Sequence, residues 1–208
     1  MKIAILGAHG KAGYYIAKEA EKKGHDVLAI VRKKHHDEFK NTLEKDLMDI
    51  TKDDLKDVDV VINAVSAWTP ETFFVHTDGI SHLASLLEDG TTKFLMMGGA
   101  GTLYVNPEHS MMMMDQPDYP EQLKPLAAAL RANLDRIRSF SNIPWTYVTP
   151  PYNLDYEGEE TGEYVIGGEE FFKNDKGESY ISYKDFAKAM IEIAEKDYTR
   201  RRVSVVGK

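Results

Sequence analysis

The sequence predicts an α/β fold, a doubly wound parallel sheet with helices on both faces. Two observations predict it. Short apolar runs alternate with longer amphipathic segments, and the apolar runs are rich in valine and isoleucine, as strands covered on both faces are. The chain has 208 residues, which suits one three-layered domain. We therefore expect residues 1–208 to form a single domain.

Seven short segments, all but Thr42–Lys45 mainly apolar, are predicted to be the strands of this sheet. Each is short and bounded by charged or turn-forming residues, which favours strand over helix. The predicted strands are Lys2–Leu6, Asp26–Val31, Thr42–Lys45, Asp59–Asn63, Lys93–Met97, Trp145–Val148 and Arg202–Val206. Right-handed crossovers would join them into a doubly wound order.

Four amphipathic segments are predicted to be the helices that cover the sheet. They are Lys11–Lys23, a part of Glu71–Leu87, Glu121–Ser141 and Tyr183–Glu195. In the last of these, Phe186, Met190, Ile191 and Ala194 share one helical face, which indicates a buried side.

Two segments interrupt the alternation, and long loops of this kind are usually functional or disordered. Gly101–Tyr119 contains the run Met111–Met114, which either forms a mobile lid or is explained by core packing or disorder. Pro150–Tyr180 is rich in glycine and glutamate, with strand-like pieces at Tyr164–Ile166 and Glu170–Phe172. We expect residues 150–182 to form a small substrate-side insertion, a carboxy-terminal cap on the domain.

Composition and charge exclude several classes of function. The 26 basic and 34 acidic residues give a net charge of −8, which argues against a surface built to neutralise nucleic acid phosphates. The absence of cysteine excludes disulfides, thiolate catalysis and cysteine-ligated metals. The histidines, His35 and His36 among them, show no metal-site spacing, so no metal is expected. No apolar stretch approaches the roughly 20 residues of a membrane span. We expect a cytoplasmic protein, a monomer or homodimer, without nucleic acid or membrane partners.

A glycine-rich turn links the first predicted strand to the first predicted helix. Its sequence, Gly7-Ala8-His9-Gly10-Lys11-Ala12-Gly13, has GxxGxxG spacing where a dinucleotide fingerprint belongs. Gly7 would permit the tight turn, Gly10 would let the backbone approach a pyrophosphate, and Gly13 would allow close helix packing. A turn that only connects strand and helix is the alternative. The strand-first context favours a dinucleotide.

The end of the second predicted strand indicates which dinucleotide. Val31 is followed by Arg32, Lys33 and Lys34, whereas NAD-preferring sites place a carboxylate here for the ribose 2′-hydroxyl. An arginine can instead pair with a 2′-phosphate through two hydrogen bonds. A solvated basic turn is the alternative. The sequence predicts NADP(H) in preference to NAD(H).

Three further stretches resemble a known family. They are Phe94–Tyr104, Trp145–Pro151 and Ser179–Ala187, which with the glycine loop span nearly the whole chain in order. They are similar to the NADH-flavin reductase-like branch of the atypical short-chain dehydrogenases, relatives of NmrA-type proteins and biliverdin reductase B. The resemblance implies an NAD(P)-binding Rossmann fold.

The resemblance also implies where the cofactor binds. His9, Lys11 and Ala12 would flank the pyrophosphate, and Asp46 with Leu47 would bracket the adenine. The remaining contacts would come from Ala64, Val65, Ser66, Gly98, Gly99 and Lys124, near the nicotinamide and its ribose. For Lys124, a surface lysine that opens a helix is an equal alternative.

The tyrosine and lysine of a standard short-chain dehydrogenase are not found at their usual spacing of four residues. Tyr119 lies five residues before Lys124, and Tyr104 has Glu108 where the lysine should be. That departure suits a flavin or quinone better than a ketone, because such rings accept hydride without a dedicated side-chain acid. Ser66, Tyr104 and Lys124 are the catalytic candidates; Trp68, Tyr104 and Tyr152 are the substrate-binding candidates.

The sequence thus predicts an NADPH-dependent oxidoreductase that transfers hydride to a flavin, quinone or similar conjugated acceptor. A regulatory protein that senses NADP(H) without turnover is the alternative, because such relatives keep the glycine loop and lose the tyrosine–lysine pair. A sugar-nucleotide epimerase is a weaker third possibility.

Overall fold

An eight-stranded sheet forms the centre of the protein, seen in a computed structural model that describes residues 1–33 and 38–208. The strands in chain order are β1 (Lys2–Leu6), β2 (Asp26–Val31), β3 (Asn41–Glu44), β4 (Val60–Asn63), β5 (Lys93–Met97), β6 (Trp145–Thr149), β7 (Asn153–Asp155), β8 (Tyr164–Gly167), β9 (Tyr180–Ser182) and β10 (Arg201–Gly207). The main sheet has the order β3-β2-β1-β4-β5-β6-β10-β8. This is the strand order of a doubly wound dinucleotide-binding sheet, as predicted.

Helices cover both faces of the sheet. They are α1 (Lys11–Lys22), α2 (Asp78–Leu87), α3 (Lys124–Arg138) and α4 (Tyr183–Glu195). Ile16 of α1 and Phe186 of α4 belong to the core on one face, and Leu83 of α2 and Leu134 of α3 belong to the core on the other. All four residues of β4 are buried, which explains its run of valine and isoleucine.

One predicted helix lies within its expected range, Glu71–Leu87, and another, Glu121–Ser141, begins later than expected. Pro70–His76 forms a 3-10 helix and α2 starts only at Asp78, while Glu121–Leu123 forms a 3-10 turn ahead of α3. Proline stands in the first turn of both the Pro70–His76 helix and α3, where its missing N–H group costs no helical hydrogen bond. The helix α3 ends at Arg138 rather than Ser141.

Residues 150–182 contribute to two sheets. Their strands β7 and β9 pair in parallel as a separate two-stranded sheet, whereas β8 joins the main sheet antiparallel to β10. One antiparallel edge strand is therefore added to an otherwise parallel sheet. The predicted strand Glu170–Phe172 is wrong, since only Glu170 makes an isolated bridge, to Tyr104. The hydrogen-bonded pairing of β8 with β10 ends at Ser204 and Gly167. Beyond that pair, the Glu169 carbonyl accepts a hydrogen bond from the Arg202 side chain.

The methionine run divides between core and surface. Met112 and Met113 are buried and Met111 is exposed. Met112 forms a bridge with Tyr104, and the Met113 N–H donates to the Leu103 carbonyl at 2.8 Å. Two of the four methionines thus pack as core residues. Within residues 1–33 and 38–208, no helix has the length and apolarity needed to cross a bilayer.

Candidate functional site

The glycine loop lies at the carboxyl ends of β1 and β4, where the strand order reverses. Gly7 has φ +77°, which a residue with a side chain rarely adopts. A Cβ on Gly7 would lie 3.1 Å from the Ala64 carbonyl carbon, and a Cβ on Gly13 would overlap the Gly7 carbonyl oxygen. These contacts bring the first turn of α1 directly onto the loop, at the crevice where doubly wound sheets bind their ligands.

The first turn of α1 offers unused hydrogen-bond donors to that crevice. The Gly10 N–H donates to Gly7 and the Tyr14 N–H donates to Gly10, but the N–H groups of Lys11, Ala12 and Gly13 have no acceptor among the described residues. Free N–H groups and the positive end of a helix dipole suit a pyrophosphate. The loop therefore fits a dinucleotide, which would be held there by backbone N–H groups.

The basic turn after β2 contacts the glycine loop through His9. The ring of His9 stacks on Phe39 with 6.2 Å between centroids, and its Nδ1 lies 3.2 Å from the Lys33 carbonyl oxygen. Arg32 and Lys33 are both exposed. Lys34 and the pair His35 and His36 lie outside the described residues. Two cations therefore stand beside the loop, where a 2′-phosphate is expected.

Asp46 and Leu47 follow β3 at the same edge of the sheet. Asp46 caps a short 3-10 helix, Leu47–Asp49, by accepting from the Met48 N–H at 3.2 Å. Leu47 is buried, and its side chain fills the space that a Cβ on Gly79 of α2 would need. The Asp46 carboxylate is exposed, so it is the more accessible of the two to a ligand.

Two buried polar side chains form hydrogen bonds with the backbone of the segment that follows β4. Asn63 Oδ1 accepts from the Val65 N–H at 3.1 Å, and His76 Nε2 donates to the Ala67 carbonyl at 3.2 Å. Burial lowers the pKa of His76, which keeps the ring neutral. Between these anchors Ser66 is exposed.

The side chains of Ala64, Val65 and Trp68 differ in exposure along this segment. Ala64 is buried against Gly7, Val65 is partly buried, and Trp68 is 69% exposed. Trp68 therefore presents a large aromatic ring to solvent on the segment that follows β4.

The glycines after β5 are required by side chains from neighbouring elements. A Cβ on Gly98 would overlap the Tyr147 ring, and a Cβ on Gly99 would lie 2.6 Å from Leu130. The Gly99 carbonyl accepts from the Thr102 hydroxyl, and the Thr102 carbonyl accepts from Arg202 at 2.7 Å. The turn that follows β5 is thereby fastened to β10.

Tyr104 is engaged by packing partners. Its ring stacks on His109 with centroids 4.5 Å apart. The guanidinium of Arg202, a residue of β10, lies 5.3 Å from the centre of the Tyr104 ring. The hydrogen bonds from Arg138 to Glu169 raise the pKa of Arg138 against the opposing effect of burial, and Tyr104 adds to that rise. These partners are remote in sequence from the glycine loop, and they favour a structural role for Tyr104.

Lys124 opens α3 and pairs with Glu121, with 2.5 Å between the Nζ and Oε1 atoms. Tyr119 lies five residues before Lys124 instead of four. Its hydroxyl lies 2.6 Å from the position that a Cβ on Gly101 would occupy, in the turn that follows β5. Burial raises the pKa of Tyr119, and Tyr152 nearby adds to the shift. Tyr152 itself is 50% exposed.

Sequence reasoning missed the residues that support the site from behind. Asn63, His76, Thr102 and Arg202 are buried polar side chains that fix the turns after β4 and β5. The arginine in the apolar run Arg202–Val206 was a signal of this kind, because a buried charge needs a partner. The partners themselves are distant in sequence. Thr149, at the end of β6, has a fully buried hydroxyl without a hydrogen-bond partner in the described parts of the chain.

Comparison with known proteins agrees with the fold and the glycine loop. Residues 7–197 match the protein family described as NAD(P)H-binding. The uncharacterized protein YwnB of Bacillus subtilis (strain 168) is 39% identical over 210 residues, which cover 99% of this chain and 98% of YwnB.

Solved structures extend the comparison. The crystal structure of a candidate NADH-flavin reductase from Streptococcus pneumoniae TIGR4 has a TM-score of 0.97 at 42% identity and covers 100% of both chains. A candidate epimerase from Bacteroides thetaiotaomicron has a TM-score of 0.85 at 29% identity and covers 99% of this chain and 96% of its own. Similar structures thus carry names of different activities.

Proposed function

The chain belongs to the NAD(P)H-binding family, and from this premise we propose that it is an NADPH-dependent reductase of a flavin, quinone or similar conjugated acceptor. The observation that carries the proposal is the glycine loop, where Gly13 packs on Gly7 and three N–H groups of α1 are left without acceptors. The similarity to the candidate NADH-flavin reductase of Streptococcus pneumoniae supports the acceptor class.

We propose NADPH rather than NADH because of the charges at the end of β2. Arg32 and Lys33 are exposed there, and the Lys33 carbonyl oxygen lies 3.2 Å from His9 Nδ1 of the glycine loop. A guanidinium can hold a 2′-phosphate by two charge-assisted hydrogen bonds. Asp46 and Leu47 would line the adenine on the next strand.

The chain's own residues would position the reacting rings rather than react with them. A bound nicotinamide supplies the hydride. Ala64, Val65 and Ser66 would line the nicotinamide ribose, and Gly98 and Gly99 would leave room beside the ring. Trp68 and Tyr152, both exposed, would contact a flat acceptor from either side of the end of β5.

The proton that follows the hydride needs a hydroxyl or a water molecule. Ser66 is exposed on the segment held by Asn63 and His76, and we assign it the role of donor or water-orienting group. Tyr119 is a second hydroxyl at this edge. Phenols are protonated at neutral pH, and burial raises the pKa of Tyr119 further. Tyr104 and Lys124 would assist indirectly, through the packing of the β5 turn and the start of α3.

Oxidation of NADPH in the presence of riboflavin, FMN, FAD and small quinones tests the proposal, together with dissociation constants for NADPH and NADH. We expect turnover with at least one acceptor and tighter binding of NADPH. Ser66→Ala should lower kcat, whereas Ser85→Ala, an exposed serine on α2, should not. Tight NADPH binding without turnover of any acceptor would favour the regulatory alternative. Tighter binding of NADH would overturn the cofactor assignment.

A further inference from the structure

The edge of the sheet that carries the glycine loop is divided into a basic half and an acidic half. Over the ends of β1 and β2 stand Lys11, Arg32 and Lys33, all exposed. The strands β4, β5 and β6 are parallel neighbours, so the segments that follow them leave the sheet at this same edge. Residues 64–77, 98–123 and 150–163 include no lysine or arginine.

These three segments instead carry exposed carboxylates, six of which we call the acidic rim. Its members are Glu71, Asp115, Asp118, Glu121, Glu157 and Glu159. A cation follows immediately at Lys124, but Glu121 holds it in an ion pair. Glu71 is ionised at neutral pH like any exposed carboxylate, and hydrogen bonds from its own backbone and from Thr69 lower its pKa further.

Several contacts tie the rim to the place where an acceptor would bind. Asp118 precedes Tyr119, whose hydroxyl lies against Gly101 just after β5. Glu157 follows Tyr156, whose ring lies 4.9 Å from the Lys11 Nζ at the glycine loop. The buried Thr149 hydroxyl, without a partner in the described residues, ends the strand between these two segments.

We infer that the acceptor is a planar ring without phosphate groups, such as riboflavin or a neutral quinone, and that the acidic rim discriminates against phosphorylated flavins. This inference rests on the proposed reductase function and names its acceptor class. The phosphate of FMN carries close to two negative charges at neutral pH, as phosphate monoesters do. Carboxylates at the mouth of a cleft repel such an anion over about a Debye length, roughly 8 Å at physiological salt.

Riboflavin and FMN form a matched pair of probes, because they share one ring system and differ by the phosphate. We expect kcat/KM for riboflavin to exceed that for FMN by about tenfold at low ionic strength, as a few charges roughly 10 Å away would give. The ratio should fall toward one in about 0.5 M salt, where screening is strong.

Charge reversal at the rim should shift the preference. The double variant Asp118→Lys/Glu157→Lys should bring the ratio close to one at low salt. The control Asp53→Lys/Glu88→Lys makes the same change of net charge on exposed residues that lie outside the acidic rim, in the segments that precede β4 and β5. The control should keep the wild-type ratio.

Binding separates failure of this inference from failure of the proposed function. Quenching of flavin fluorescence by the NADP⁺-loaded protein measures the affinity for riboflavin and FMN even when neither is reduced. Tighter binding of riboflavin without turnover would support the inference and contradict the reductase. Equal or tighter use of FMN at low salt, or a control variant that shifts the ratio as much as the rim variant, would overturn the inference.

Discussion

Gly13 of α1 lies in contact with Gly7, so close that a methyl group on Gly13 would overlap the Gly7 carbonyl oxygen and lie 2.7 Å from its carbon. Both atoms belong to the backbone and cannot turn away as a side chain would. The approach of α1 to the loop, and with it the position of the free N–H groups, therefore depends on the absence of a side chain at residue 13.

Gly13→Ala should displace the start of α1 and weaken the binding of NADPH. Overpacking of this kind costs about 1–3 kcal/mol, because the backbone must shift. Isothermal titration with NADPH and urea unfolding would measure the two effects. Gly168→Ala is the matched control, since its Cβ would meet only Glu170 at an ordinary 3.6 Å. Equal behaviour of the two variants would mean that the contact is relieved at no cost.

Arg32→Ala should weaken NADPH binding by about tenfold or more, because a hydrogen bond to a charged group is worth about 1.5–3 kcal/mol. The affinity for NADH, which has no 2′-phosphate, should change little. Lys40→Ala, which removes an exposed cation ahead of β3, is the control. A loss of affinity that is the same for NADPH and NADH would remove Arg32 from the 2′-phosphate site.

Stability should decrease in mild acid because of His76. Burial holds its pKa below the ordinary value of 6.5, so the folded protein keeps the ring neutral while the unfolded chain takes up a proton. The contribution of His76 is thus complete above pH 6.5 and is lost as the pH falls below it. His76→Gln should show a shallower loss of unfolding free energy between pH 7 and 5. An unchanged slope would show that other groups govern this range.

Arg202→Met should be among the most destabilising substitutions. The Arg202 side chain is fully buried and bonds the Thr102 and Glu169 carbonyls and the Glu169 carboxylate, each at 2.7 Å. Breaking a buried ion pair from one side costs about 3–5 kcal/mol. Arg138→Met, which removes the partly exposed partner of the same carboxylate, should cost about 1 kcal/mol. Urea unfolding of both variants compares them directly, and an equal loss would contradict the difference in burial.

The regular part of the fold was predictable because its signals are local. The strands Lys2–Leu6, Asp26–Val31 and Lys93–Met97 and the helix Tyr183–Glu195 match the prediction to the residue. Each is an uninterrupted apolar run or a clear helical face. The predicted strand Glu170–Phe172 failed because its place in the sheet depends on a distant side chain, Arg202, which takes the Glu169 carbonyl.

The candidate site was predictable only where one segment builds it. The glycine loop has its own spacing, and both its φ angle at Gly7 and its contact at Gly13 agree with the roles assigned to those residues. The roles assigned to Ser66, Trp68, Tyr104, Lys124 and Tyr152 stay predictions. The buried hydrogen bonds that fix the turn after β5 join residues far apart in sequence. Arg202 and Thr102, for example, are 100 positions apart, and no local sequence pattern encodes such a pair.

The strand β10 lies between β6 and β8, although it follows both along the chain. During synthesis, β6 therefore keeps an unpaired edge until residues 201–207 have emerged. For the same period, the turn at Gly99–Thr102 lacks its hydrogen bond from Arg202. The strands β1 to β5, which include the strand before the glycine loop, can pair with one another much earlier, because all of them precede β6 in the chain. The region assigned to the acceptor is thus the last to acquire its native shape, and a chain halted before residue 201 would offer an unpaired strand edge to aggregation.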